Sequence, residues 1–240
     1  MFFSDSVESY RKNFSTVMGF ALLLVFVLPF AWISNSYVSS GTVVIDYGFI
    51  NQSLVESALL LALALVFLFF YSVLVCLMVF AVRKDMSHVK VHYYLGEKIH
   101  KFAFKYFRFL AIFTFVALVV SSLISPYVPG VIINLFLFIA SAAFLFLAQT
   151  IVVDEESLFS SILSNIDFIL KNPGTFVSVM VLGVISVFVL QLVEFAVDYL
   201  FFVGNFLSLL VALVVLVPFF EILKTTIYMK RFDIIRNYRE

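Results

Sequence analysis

An all-α, polytopic membrane bundle of six transmembrane helices, with amphipathic interfacial helices before spans 1, 3 and 5, is the fold this chain predicts. Three observations point to it. Of 240 residues 64% are apolar and only 12% charged, with a mean hydropathy of +1.15, whereas soluble globular chains run nearer half apolar and a quarter charged. Six continuous apolar runs each approach the ~20 residues a helix needs to cross about 30 Å of hydrocarbon. All fifteen Lys and Arg fall on one side of the arrangement those runs imply.

The spans are expected at about Val17 to Ile33, Ser57 to Val82, Phe109 to Ser125, Val131 to Val153, Phe176 to Val193 and Phe206 to Leu223. The first exceeds a signal-peptide core and no small-residue cleavage site follows Trp32 and Ile33, so it reads as a retained span. The second is the longest and is expected to tilt or to extend past the bilayer. None of the runs alternates as a barrel strand would, so the spans are helical. The chain forms a single transmembrane domain, in hairpin units of about 1–82, 85–153 and 155–230.

With six spans both termini share a side. That side holds Arg11, Lys12, Arg83, Lys84, Lys90, Lys98, Lys101, Lys105, Arg108, Lys171, Lys224, Lys230, Arg231, Arg236 and Arg239. The opposite loops hold none, which orients the N- and C-termini to the cytoplasm of a plasma or inner membrane. Formal net charge is zero, so no bulk charge calls for a nucleic-acid partner. Cys76, alone in an apolar run, forms no internal disulfide.

Three segments carry apolar residues at relative positions 0, 4, 7 and 11, one stripe of a helix. They are Phe3, Val7, Tyr10 and Phe14; Leu95, Ile99, Phe102 and Tyr106; and Phe159, Leu163, Ile166 and Leu170. Glu97 with Lys101, and Asp167 with Lys171, are favourable pairs four residues apart. Each segment is expected to lie in the membrane interface and lead into a helical hairpin, a layout compatible with a threefold repeat or with three unrelated lead-ins. Seven basic residues lie between Arg83 and Arg108. Within this group Lys98, Lys101, Lys105 and Arg108 are candidate contacts for anionic lipid, or serve only to set topology.

Candidate polar sites inside the spans are few. Glu221 follows Pro218 by three residues in the sixth span. Pro218 cannot donate to the carbonyl of Val214, which should kink the helix and leave an acceptor for a polar side chain or water. A carboxylate beside a kink suits a transporter's coupling site, or alternatively a helix end where Glu221 reaches Lys224 or Thr225. Gln191, Glu194 and Asp198 share a face at the outer end of span 5 and, with Glu56 and Asp46, could form an acidic mouth or a solvated helix end. Asn134 and Gln149 are candidates for hydrogen bonds between helices, and Ala58 with Ala62 and Ser121 with Ser125 for close helix contact. Gly41 and the β-branched Thr42 to Ile45 suggest a short strand or cap on the outer side, or a mobile loop. His88 and His92 share a helical face but lack a third metal ligand. No glycine-rich phosphate loop, nucleophile elbow or carboxylate pair framed for hydrolysis is present, so neither enzymatic activity nor a cofactor is expected.

From Val153 onward the order of features resembles bacterial and archaeal membrane proteins that include the membrane domain of some glycerophosphoryl diester phosphodiesterases and related stand-alone six-helix proteins of unknown function. The matching residues are Val153-Asp154-Glu155, the helix from Ser157 to Leu170, Lys171-Asn172-Pro173, Pro218, Thr226, Tyr228, Asp233 and Arg236. About a third of the chain is covered. In that family the hydrolase chemistry sits in a separate soluble domain, so the resemblance implies the membrane module without the activity. The expectation is a non-enzymatic multi-pass module acting in lipid contact, or as a subunit of a membrane assembly with a membrane-protein partner or a second copy. The alternative is a small-solute or ion transporter or channel using Glu221.

Overall fold

A computed structural model of the chain describes residues 2–44, 53–87 and 95–230. It is an all-α bundle whose six long apolar helices make it an integral membrane protein. Helix α1 (Phe2–Lys12) precedes span 1, α2 (Phe14–Ile33). A two-stranded hairpin follows, β1 (Tyr37–Ser39) and β2 (Thr42–Val44). Spans 2 and 3 are α3 (Leu54–Ser87) and α4 (Leu95–Ile124), and span 4 is α5 (Gly130–Asp154). Helix α6 (Leu158–Lys171) leads to span 5, α7 (Pro173–Phe201), and span 6, α8 (Gly204–Met229). Asp46, His88, Lys90, His92, Arg231, Asp233, Arg236 and Arg239 lie outside the described residues, as do the side chains of Phe3, Leu95 and Glu97.

Helix starts follow local chemistry. Ser53 and Glu56 open α3 reciprocally: Ser53 N and Oγ donate to Glu56 Oε2, each at 2.8 Å, and Ser53 Oγ accepts from Glu56 N at 3.3 Å, the capping-box arrangement. Ser157 Oγ accepts from Ser160 N to start α6. Pro173 occupies the first turn of α7, where its missing N–H costs nothing.

The described ends of the chain meet. Lys230 Nζ lies 3.3 Å from Asp5 Oδ2, and Asn13 Nδ2 donates to Asp85 Oδ2 at 3.0 Å. Burial concentrates toward this terminal end. Val17, Phe20 and Leu23 of α2 pack there with Val75, Met78 and Val79 of α3, Phe102 and Tyr106 of α4, Phe146 and Ile151 of α5, and Ile222 and Tyr228 of α8. The far halves of α3, α4 and α5 are mostly exposed. Lipid is as apolar as these side chains, so no hydrophobic force draws the far halves together. Ala58 and Ala62 are exposed there, whereas Ser121 is buried.

At the other end the β-hairpin caps spans 5 and 6. Its register pairs Tyr37 with Val44, Val38 with Val43 and Ser39 with Thr42. The two turn residues have φ of 51° (Ser40) and 74° (Gly41), as two-residue hairpin turns require. A Cβ on Gly41 would fall 2.5 Å from Ala212 Cβ, so only glycine lets the tip sit on α8.

The three segments of like spacing are used in two opposite ways. Along α6, Phe159, Leu163, Ile166 and Leu170 all point outward, while Ser161, Asn165 and Phe168 are buried. Along α1, Val7 is exposed, as is Phe14 at the start of α2, while Ser6 is buried and Tyr10 half-buried. In the middle set the sense reverses: Phe102 and Tyr106 are core residues. Nor is that segment a separate helix, since α4 runs unbroken from Leu95 to Ile124. Gly96 falls in the first turn and no proline stands between it and Phe109, so the lead-in and the span share one axis. A strict threefold repeat does not describe the fold.

Span 4 is interrupted. Regular helix from Gly130 to Ala142 gives way to turns over residues 143–146, then a short helix Leu147–Gln149 and a wide π-helical turn Thr150–Asp154. Asn165 of α6 fills the break: its Oδ1 accepts from Phe146 N at 3.0 Å and its Nδ2 donates to the Ala143 carbonyl at 2.7 Å. Thr150 Oγ1 adds a bond to the Ser161 carbonyl at 3.1 Å. Replacing Asn165 with Ala strands a donor and an acceptor where no water competes. An expected loss of about 2–4 kcal/mol would be read as a lower unfolding midpoint in detergent; Asn165→Ala with wild-type stability would disprove the role given to this side chain.

Candidate functional site

The polar residues of spans 4 and 6 come together directly beside two irregular stretches. Span 6 carries a π-helical turn at Ala212–Leu216, and Pro218 opens the regular helix after it. The carbonyl of Val214, which Pro218 cannot serve, accepts from Tyr10 Oη at 2.9 Å. Burial pushes the Tyr10 phenol up, which keeps it a donor. The surface helix α1 thus supplies the bond that the proline removes.

One turn further along, Glu221 and Lys224 form a buried ion pair, Nζ to Oε1 2.6 Å, at 4% and 8% residue exposure. Gln149, wholly buried, donates from Nε2 to Glu221 Oε2 at 3.0 Å and to Thr225 Oγ1 at 3.4 Å. Thr225 Oγ1 in turn donates to the Glu221 carbonyl at 2.6 Å. The amide of Gln149 is oriented by that carboxylate, since the reverse placement would set two oxygens against each other. Its Oε1 is left buried with no hydrogen-bond partner among the described residues. The cluster thus joins span 4 to span 6 through Gln149, and Glu221 is neutralised from its own helix.

A second cluster closes the terminal end. Glu155 ends span 4 in the left-handed conformation, φ 58°, and turns the chain into α6. Its Oε1 lies 3.0 Å from Arg83 Nη1 and its Oε2 2.6 Å from Lys98 Nζ, binding spans 2, 3 and 4 at one residue. Arg83 also donates to the Val152 carbonyl at 2.7 Å. Partial burial pushes the Glu155 carboxyl up, but the hydrogen bonds from Lys98 and Arg83 and their charges outweigh it and hold the group below the usual range. Beside it Lys105 donates to the Glu156 carbonyl at 2.8 Å, and Tyr228 Oη donates to Asp154 Oδ2 at 2.5 Å.

The four candidate lipid-contacting cations therefore divide. Lys98 and Lys105 are bonded within the protein, and only Lys101 and Arg108 are exposed. The outer carboxylates are engaged too. Glu194 Oε2 accepts from Ser40 N of the hairpin at 2.5 Å, and Asp198 Oδ1 from Gly204 N at 2.6 Å. Gln191 stands apart on the exposed face and Asn134 is exposed between α4 and α5. Gln191, Glu194 and Asp198 thus share a helix face but are not assembled around one opening: two of them hold the hairpin and the turn between spans 5 and 6.

Asn165, Tyr10, Arg83 and Glu155 carry roles that the sequence did not single out. For Asn165 the signal was an amide on the face of α6 opposite its apolar stripe. For Glu155 it was an acid at a span end facing a cationic loop.

Two outcomes follow. Glu221→Gln and Lys224→Met each strip a buried charge of its partner and are expected to cost about 3–5 kcal/mol, with the double replacement recovering much of the loss, measured as a double-mutant cycle of unfolding midpoints; additive losses would exclude a coupled pair. Glu155, lowered in the folded chain, contributes stability that is fully present above its unfolded value of about 4.3 and lost as pH falls through its lower folded value. The acid limb of stability against pH should therefore flatten in Glu155→Gln, and an unchanged limb would count against the Arg83–Glu155–Lys98 tie. No family model, curated protein or solved structure matches this chain.

Proposed function

We propose that this protein is a non-enzymatic membrane module that works through contact with the lipid surface, with its described termini on the cytoplasmic side. The single observation that carries this reading is the orientation of α6. Its four-residue apolar stripe faces away from the protein while Asn165 on the opposite face serves the break in span 4 and the Ser161 carbonyl accepts from Thr150 beside it. A stripe turned out at the end of a bundle is satisfied by acyl chains at the headgroup boundary. Helix α1 is used differently, with Val7 outward and Ser6 buried, while Tyr10 at the edge of its stripe serves the break in span 6. Both surface helices are thereby connected to the polar interior, so a force on either reaches a span interruption. The one-sided Lys and Arg support the stated orientation.

The resemblance of Val153 onward to six-helix membrane proteins supports a membrane module. The closed state of Glu221 favours a structural role over transport: the carboxylate is already paired with Lys224 and bonded by Gln149. Labels at Phe159→Cys, Leu163→Cys and Leu170→Cys in vesicles should be quenched by a lipid-borne quencher, and a label at the exposed Asp167→Cys by an aqueous one. The reverse pattern would show that α6 does not lie against lipid and would remove the basis of this reading.

A further inference from the structure

Of the cations on the first four turns of α4, Lys101 and Arg108 are exposed, and no carboxylate among the described residues forms an ion pair with either. With Phe104 they fall at intervals of three and four, one helical face. The Arg108 guanidinium lies 4.7 Å from the centre of the Phe104 ring, so its side chain runs back along the helix toward the terminal end of the bundle. That is the direction in which Cα–Cβ bonds tilt and in which a cation in a span reaches the headgroups. Stacking on the ring holds the planar group in place.

Below this cation the rings continue without a gap. Phe104 contacts Phe107 at 6.2 Å between ring centres, Phe107 meets Phe69 of α3 edge-on at 5.7 Å, Phe69 meets Phe70 at 5.7 Å, and Phe70 stacks on Phe26 of α2 at 5.2 Å. Phe69, Phe70 and Phe104 are exposed. The path crosses spans 3, 2 and 1 and leads from two cations at the surface toward the middle of the bilayer. We propose that this face is a site for one anionic phospholipid, its phosphate held by Lys101 and Arg108 and an acyl chain lying along Phe104, Phe107, Phe69 and Phe70. Bare cations would attract any anion, but the ring path suits only a ligand with a long apolar tail. The site rests on the reading of the chain as a lipid-contacting module and names the lipid class and residues involved.

The test is a titration of the purified full chain in a neutral detergent with dioleoyl phosphatidylglycerol, with dioleoyl phosphatidylcholine and inorganic phosphate as the other arms, followed by native mass spectrometry. Phosphatidylglycerol should bind more tightly than phosphatidylcholine, and millimolar inorganic phosphate should not displace it. Lys101→Gln and Arg108→Gln should each weaken it by about fivefold and the double variant by about twenty-five-fold, the loss expected for one or two surface charges; Arg108→Lys should restore most of the affinity. Phe104→Ala should weaken phosphatidylglycerol binding without altering the helical signal. Lys98→Gln and Lys105→Gln should lower the unfolding midpoint and leave lipid affinity within about twofold of wild type. Equal affinity for both lipids, displacement by inorganic phosphate, or loss carried by Lys98 and Lys105 instead of Lys101 and Arg108 would each overturn the site. Reversed quenching on α6 alongside intact lipid selectivity would fell the surface-helix reading and leave this site standing.

Discussion

Inside hydrocarbon there is no water to take up a loose N–H or C=O, and that constraint organises this molecule. Spans 4 and 6 both depart from regular helix, and each departure frees backbone groups that the span itself cannot serve. The partners come from outside the spans: Asn165 of α6 enters the break in span 4, and Tyr10 of α1 reaches the carbonyl exposed by Pro218 in span 6. The two surface helices are therefore part of the span structure. On α6 the polar face is spent on the protein, and its apolar stripe is left facing outward.

Polar groups also decide where the bundle is tight. Glu155 joins three spans through Arg83 and Lys98, Gln149 joins span 4 to span 6, and Tyr228 closes on Asp154. All of these lie toward the terminal end, and the buried apolar residues collect around them. The outer halves of spans 2, 3 and 4 hold few such groups and remain turned to lipid. At the end away from the described termini, cohesion comes from the hairpin, held by Glu194 and Ser208 through backbone N–H groups of Ser40 and Gly41. Charge near this membrane is thus mostly structural, and the two exposed cations of α4 stand out against that background.

The positions of the six spans were legible because length and apolarity are properties of a segment alone. The pairing of Glu221 with Lys224 was legible for a similar reason, as residues three apart on one helix meet whatever surrounds them. The break in span 4 was not, because residues 141–146 contain neither Gly nor Pro and the break depends on Asn165, distant in sequence, to stabilise it. The division of Lys98, Lys101, Lys105 and Arg108 into internal and exposed pairs was hidden as well, since it depends on where Glu155 and Glu156 come to rest.

What the sequence by itself determined is the count of spans, the side on which cations gather, and which residues share a helix face. What only the tertiary structure decided is the direction each face looks. An apolar stripe is equally content against lipid or against another helix, so the same spacing turns outward on α6 and inward on α4. That choice follows where polar residues find partners, Asn165 opposite the stripe of α6 and Lys98 and Lys105 beside the stripe of α4, and those partners lie elsewhere in the chain and are in place only once the bundle has assembled.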